Sequence, residues 1–175
     1  LLDHLTYERR ALFEFWAHEA SILPVRFHPL LRWRMERKAW PSLDRIRKKR
    51  PAYVEAVLRE IETRGPLGTS DLTDGGGRAG AWWGWGEGKH VLEWLFATGR
   101  VTTAARRRFE RIYDLAERVL PVDVLAAETP SADDAKRALL LESAAALGVG
   151  TARDLADYFR IHPPTGRALV EGLAA

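Results

Sequence analysis

The chain has 175 residues, of which 46% are hydrophobic and 29% charged, with a formal net charge of +3. This composition predicts a globular protein of one ordinary domain, or of two to three very small ones, and excludes a disordered chain. The absence of cysteine excludes disulfides, and the lack of both a long apolar run and a signal peptide predicts a cytoplasmic protein with no membrane contact.

The first predicted element is a β-hairpin that occurs twice in the sequence. Residues 9–25, RRALFEFWAHEASILPV, align without gaps on residues 106–122, RRRFERIYDLAERVLPV. Apolar residues match apolar residues, and both stretches end in Leu-Pro-Val. Each has two short apolar runs around a polar or small middle, which favours a hairpin. We therefore predict one small module used twice, with hairpins at 9–25 and 106–122.

A strongly basic segment follows the first hairpin. Residues 26–50 carry ten lysines and arginines against Glu36 and Asp44, and a second basic cluster occupies residues 100–111. Concentrated cations attract polyanions, and phosphate contacts are the sequence-independent part of nucleic-acid binding. A solvated connector is the alternative interpretation of the first segment.

Residues 51–101 predict three successive helices. Pro51 opens the first helix and Gly65 ends it, and Thr69 or Ser70 is expected to cap a short second helix. The third helix is predicted over residues 89–98 and leads into the second hairpin. Helix, helix, helix and hairpin is the order of a winged helix-turn-helix, in which the last helix can enter the DNA major groove.

Three tryptophans, Trp82, Trp83 and Trp85, alternate with glycines immediately before this third helix. Clustered large aromatic side chains are usually buried, so we expect them to pack over the helix or against a neighbouring module. Stacking on an exposed base, or intercalation, is the alternative.

The same order then begins again. Residues 131–147 predict a first helix, GVGTARDLADYF repeats the pattern of a small capping residue before Asp-Leu, and residues 161–175 begin a third helix. We predict a mainly α fold with small β-hairpins, built as tandem winged helix-turn-helix modules. Its parts are the wing of a truncated first module plus a basic connector (1–50), a complete second module (51–122) and a truncated third module (123–175).

Several of these strings together resemble one family. FEFWAHEASILP, LLRWRM, WWGWGEGKHVLEWLFATGRV, RRRFERIYDL and GVGTARDLADYF occur in the order seen in the winged-helix crosslink-repair DNA glycosylases of the YcaQ and AlkZ type. The resemblance implies tandem winged helices followed by a small β-barrel. It also implies hydrolysis of the N-glycosidic bond of alkylated or crosslinked purines in DNA of the bacterial nucleoid.

The catalytic motif that the resemblance implies contains glutamine, and this chain has none. The chain also begins without Met, so we expect a piece of a longer protein, without that motif or the β-barrel. We therefore expect no catalytic residue in this chain. The histidines His18, His28 and His162 are scattered and lack cysteine partners, so no metal ligand is predicted either, and no cofactor is expected. The oligomeric state stays open. His18 and Glu19 are candidates for lining the cleft beside the absent motif, the alternative being a structural hydrogen bond at the hairpin tip.

Duplex DNA, damaged by alkylation or crosslinking, is the predicted partner. The candidate DNA-binding residues are Arg32, Arg34, Arg37, Lys38, Arg45, Arg47, Lys48, Lys49, Lys89, His90, Arg106, Arg107 and Arg108. A transcription regulator and a protein-protein interaction module are the two competing functions. The third helix, KHVLEWLFAT, is poor in the Arg, Asn and Gln that read bases, which disfavours the regulator.

Overall fold

The computed structural model describes residues 1–36, 41–77 and 86–174. Helices predominate, and two antiparallel strand pairs accompany them, so the predicted mainly α fold with small β-hairpins is confirmed. In chain order the elements are β1 (Leu12–Trp16), β2 (Ala20–Pro24), α1 (His28–Met35), α2 (Pro41–Lys49), α3 (Pro51–Arg64), α4 (Glu87–Ala97), β3 (Val101–Arg107), β4 (Glu110–Leu115), α5 (Ala116–Val119), α6 (Val122–Ala126), α7 (Ala132–Leu147), α8 (Ala152–Tyr158) and α9 (Pro163–Ala174). None of the helices in these ranges combines the length and the apolar character that a membrane crossing requires.

The first hairpin forms as predicted. Strands β1 and β2 pair from Leu12 opposite Pro24 to Trp16 opposite Ala20. Phe13 and Phe15 project from β1 into the main hydrophobic core, where the Phe15 ring lies 5.8 Å from that of Phe96 in α4. The hairpin is therefore anchored on the helical part of the molecule by its aromatic side chains.

The second hairpin lies earlier in the chain than predicted. Strand β4 pairs with β3 upstream of it, from Val101 opposite Leu115 to Arg107 opposite Glu110. The stretch that the repeat aligns with β2 forms α5 instead. Val101, Thr102 and Thr103 are β-branched residues that favour a strand, whereas Ala-Glu-Arg favours a helix, so local propensity decides the pairing. The hairpin predicted over residues 106–122 was wrong, although the repeat correctly indicated a strand at residues 110–113.

Helices α3 and α4 confirm two predictions from residues 51–98. Gly65 ends α3 with a φ of +85°, a conformation that glycine adopts without strain. Between the two helices, the part of the chain that the structure describes forms a short 3-10 turn, Thr69–Asp71, whose cap differs from the prediction. Neither Thr69 nor Ser70 caps it; the Asp71 carboxylate accepts the backbone N–H of Gly68 at 2.8 Å.

The basic segment is helical over residues 28–35 and 41–49. Its helices α1 and α2 bury apolar side chains, and Leu31 and Leu43 are almost completely inaccessible to solvent. Helix α2 packs on α4, and the guanidinium of Arg47 lies 5.9 Å from the centre of the Trp94 ring. Helix α3 and strand β3 also pack on α4, and every residue of α4 is buried or half-buried.

Helix α8 follows the predicted capping pattern, and α7 begins with a similar cap. The Ser131 hydroxyl accepts the N–H of Asp134 at the start of α7, and the Thr151 hydroxyl accepts the N–H of Asp154 at the start of α8. Helix α9 completes the bundle, and Leu169 contributes to the common core. These caps explain why the helix starts could be located from sequence.

Candidate nucleic-acid interface

The arginines of α1 donate hydrogen bonds to backbone carbonyls of distant elements, and their contact with DNA stays a prediction. Arg32 donates hydrogen bonds to three backbone carbonyls at the end of α6, at 2.6–3.1 Å. Arg34 donates to the carbonyls of Trp16 and Ala17, both at 2.9 Å, and to that of Phe159. Carbonyls at the end of a helix or strand need such donors, so both arginines connect distant elements.

A buried ionic cluster joins the two hairpins. The carboxylate of Glu14 in β1 is 3% exposed, and it accepts hydrogen bonds from Arg106 in β3 and from Arg111 in β4. Arg111 also contacts Glu93 of α4 at 3.1 Å, and the Tyr113 hydroxyl donates to the same carboxylate at 2.9 Å. Arg106 is therefore paired with a carboxylate 92 residues away, and its role as a phosphate contact stays a prediction.

The pKa values of this cluster reflect its strong pairing. Burial alone would raise the pKa of Glu14, but hydrogen bonds from Arg106, Tyr7 and Arg111 lower it below its ordinary value. Burial, and then the nearby Glu14 carboxylate, raise the pKa of the Tyr7 hydroxyl to about 12. Both groups therefore keep one protonation state at neutral pH, which indicates a structural role rather than acid-base catalysis.

Helix α4 offers little to a DNA groove. Lys89 is bonded to the Glu93 carboxylate at 2.5 Å and to the Tyr113 hydroxyl at 3.1 Å, and the His90 ring contacts the carbonyl of Gly86. Both side chains are half-buried. Because the helix is covered along its length, neither residue projects as a base-reading side chain does.

The turn of the second hairpin separates two adjacent arginines. Arg107 contacts Asp71 at 2.9 Å and Glu110 at 2.8 Å, which fixes the base of the turn. Arg108 lies in the turn itself, is exposed, and has no ion pair within the described ranges. Of the three consecutive arginines, only Arg108 presents a guanidinium that is not already paired.

Helix α2 carries the largest group of accessible predicted cations. Arg45, Arg47, Lys48 and Lys49 are all exposed, and we call them the α2 basic face. Arg47 and Lys48 share the carboxylate of Asp44 at 3.0 and 3.2 Å, and these hydrogen bonds lower the pKa of that carboxyl group. Since Asp44 offsets one of four positive charges, the face remains net positive. Arg37 and Lys38 lie outside the described residues.

His18 and Glu19 lie in the turn between β1 and β2, next to α8. The His18 ring approaches Asp157 at 3.5 Å, and Glu19 pairs with Arg160 at 3.0 Å. His18 also lines an open groove of about 660 Å³ between this turn and α8, together with Tyr158. Both residues thus connect the hairpin tip to the C-terminal helices, and only His18 contributes to the wall of the groove.

Two further predictions concern the tryptophans and metals. Trp82, Trp83 and Trp85 lie outside the described residues, so their packing stays a prediction. Within residues 1–36, 41–77 and 86–174, no three acidic or histidine side chains are grouped in a way that could hold a metal ion.

One residue that sequence reasoning missed is Phe109. The repeat aligned it with Leu12, which is half-buried, yet the Phe109 side chain is 95% exposed at the turn of the second hairpin. The sequence signal for its exposure was its place between a basic run and Glu110. The position of the turn follows from the pairing of β3 with β4, which the sequence did not predict.

Comparison with known proteins identifies the family. The family model described as DNA glycosylase AlkZ-like matches residues 1–175, and no solved structure matches the chain. The chain therefore belongs to the AlkZ-like DNA glycosylase family, which acts in DNA repair.

Proposed function

We propose that this member of the AlkZ-like family is the DNA-binding part of a glycosylase that excises alkylated or crosslinked purines. The observation that carries the proposal is the match of the family model over residues 1–175. In this proposal the chain comprises tandem winged helix-turn-helix modules, with a wing and basic connector at 1–50, a complete module at 51–122 and a further module at 123–175. It acts on the nucleoid DNA of the bacterial cytoplasm.

The helix and strand order supports the winged-helix assignment. Helix α3, the 3-10 turn Thr69–Asp71, α4 and the β3–β4 hairpin follow one another in the order of such a module. In this arrangement α4 occupies the place of a recognition helix. Because α2 packs over α4, we infer that other surfaces contact DNA.

Among the predicted cations that the structure describes, those of the α2 basic face and Arg108 are the best placed for DNA. These cations are exposed, and long charged side chains can reach phosphates without reading bases. Binding of this kind releases counterions, so affinity falls steeply as salt rises and varies little with sequence. Such a surface suits a repair protein that must meet lesions in any sequence context.

The cleavage step is assigned to residues outside this chain. The glycosylases that this chain resembles have a catalytic motif that contains glutamine, and a chain without glutamine cannot contain that motif. His18 and Glu19 are proposed to line the cleft beside that motif, and the groove next to His18 supports this assignment. The chain alone should therefore release no base from alkylated DNA, and release of a base would contradict this division of labour.

A transcription regulator is the principal alternative. It requires side chains that project into the major groove and distinguish bases. All residues of Glu87–Ala97 are at least half-buried, which disfavours this function. A protein-protein interaction module is the other alternative, and it predicts no DNA binding.

A salt titration with matched charge variants tests the proposal. We would measure binding of the chain to two duplexes of unrelated sequence at several salt concentrations by fluorescence anisotropy. We expect equal affinities for the two duplexes. The variant Arg45→Ala with Lys49→Ala should reduce the slope of log K against log salt by about 2, because each phosphate contact contributes about 0.9.

The matched control is Arg59→Ala with Arg153→Ala, which removes two exposed arginines from α3 and α8. We expect the control to keep the wild-type slope. A strong preference for one duplex would favour the regulator. Absence of binding at low salt would favour the interaction module.

A further inference from the structure

The β3–β4 hairpin ends in an exposed aromatic side chain next to an unpaired cation. Phe109 is 95% exposed and Arg108 precedes it in the two-residue turn between Arg107 and Glu110. A single exposed apolar residue is common on protein surfaces and carries no inference by itself. Here two independent observations support an inference: the backbone conformation of the turn, and the contacts that hold the turn in place.

The turn has a conformation that its residues do not favour. Arg108 has a φ of +59°, while Phe109 has no positive φ. A two-residue hairpin turn with positive φ only at its first position matches the φ signs of type II′, in which glycine is usual there. Strained backbone of this kind persists only where the surrounding structure holds it, and it concentrates at functional sites.

Hydrogen bonds and ion pairs of two β3 arginines hold this turn. On the β3 side, Arg106 donates to the carbonyl of Phe109 at 3.0 Å while its guanidinium is fixed by the buried Glu14. At the end of β3, Arg107 is held by Asp71 and Glu110. The tip is therefore preorganised, and its aromatic ring projects without any cover from the rest of the described chain.

We propose that Phe109 inserts between adjacent base pairs of duplex DNA while Arg108 contacts the phosphate backbone. An apolar side chain at a rigid tip can separate a base step, as minor-groove wedges do, and the adjacent cation attracts the duplex to it. Opening a base step lowers the cost of exposing a damaged purine, because a neighbouring stack is already lost. This inference rests on the proposed DNA-binding function and assigns a distinct task to this one turn.

The test uses the 175-residue chain and a duplex that contains 2-aminopurine, whose fluorescence rises when it unstacks. For the wild type we expect binding together with a rise in fluorescence. Phe109→Ala should keep the melting temperature, because its ring is 95% exposed, but should weaken binding about tenfold and abolish the fluorescence rise. Its salt dependence should be unchanged, whereas Arg108→Ala should reduce the slope by about one unit.

Two further variants sharpen the result. Phe109→Trp should restore both affinity and fluorescence, since a larger ring also stacks. Val122→Ala removes another apolar side chain, 79% exposed, and should behave as the wild type. Wild-type binding with no effect of Phe109→Ala on affinity or fluorescence would overturn the wedge and leave the DNA-binding function intact. Absence of wild-type binding would overturn both.

Discussion

Protonation of His28 should destabilise the fold between neutral pH and pH 4. His28 is the first residue of α1 and is 6% exposed. Its imidazole ring meets the Phe13 ring edge-on, with ring centres 5.5 Å apart. Its Nδ1 atom has no hydrogen-bond partner within the described residues. Burial, and then the charge of Arg32, lower the pKa of His28 from 6.5 to about 4.

The sign of the effect follows from this depressed pKa. The unfolded chain takes up the proton near pH 6.5, and the folded protein only near pH 4, so the stability that the neutral ring provides is present above pH 6.5. It is lost progressively as the pH falls through this window. At 1.36 kcal/mol per pH unit the full loss is about 3 kcal/mol, and about 2 kcal/mol should already be lost at pH 4.5.

Urea unfolding at pH 7.0 and 4.5 would measure this loss in the wild type and in His28→Leu, which is apolar and does not titrate. Other groups also titrate in this range, so the relevant quantity is the difference between the two proteins. We expect the wild type to lose about 2 kcal/mol more than the variant. Equal losses, or an NMR titration of the His28 ring with a pKa near 6.5, would refute the reasoning.

Three other predictions test separate features. Glu14→Ala should cost about 3–5 kcal/mol in urea unfolding, because it removes the buried carboxylate that Arg106 and Arg111 share. Glu142→Ala, at an exposed ion pair, should cost less than about 1 kcal/mol, and equal costs would contradict the importance of burial. Thr151→Ala should lower the free energy of unfolding by about 1 kcal/mol through loss of the α8 cap, and an unchanged unfolding curve would show that the cap is unimportant. Gly99→Ala should cost about 1–3 kcal/mol, because Gly99 has a φ of +71° and a new Cβ would lie 2.5 Å from the Met35 sulfur; a thermal melt identical to wild type would contradict this.

Helices with local signals could be predicted from the sequence. Pro51 and Gly65 delimit α3, and Ser131 and Thr151 cap α7 and α8 through their own hydroxyls. The second hairpin could not be placed in the same way, because strand pairing depends on long-range contacts. The repeat indicated similar strands in both copies, but it did not show that β4 pairs with residues upstream of the copy.

The candidate site was predictable only as a set of cations. The sequence shows that Arg32 and Arg106 are positive, but their partners lie more than 90 residues away along the chain. One signal was present in the alignment of the two copies. Glu14 and Arg111 occupy equivalent positions, 97 residues apart, and they form an ion pair across the two hairpins. Charges of opposite sign at equivalent repeat positions could have indicated that the copies face each other.

This ionic cluster also sets the size of the cooperative unit. Because Glu14 belongs to β1 while Arg106 and Arg111 belong to β3 and β4, opening either hairpin alone would expose one half of a buried charge pair. The amide protons of both hairpins should therefore exchange with solvent through a shared opening event. Expression of residues 51–175 without the first hairpin would leave two arginines facing an empty space. Residues 51–175 expressed alone should therefore give less soluble, well-folded protein than the whole chain.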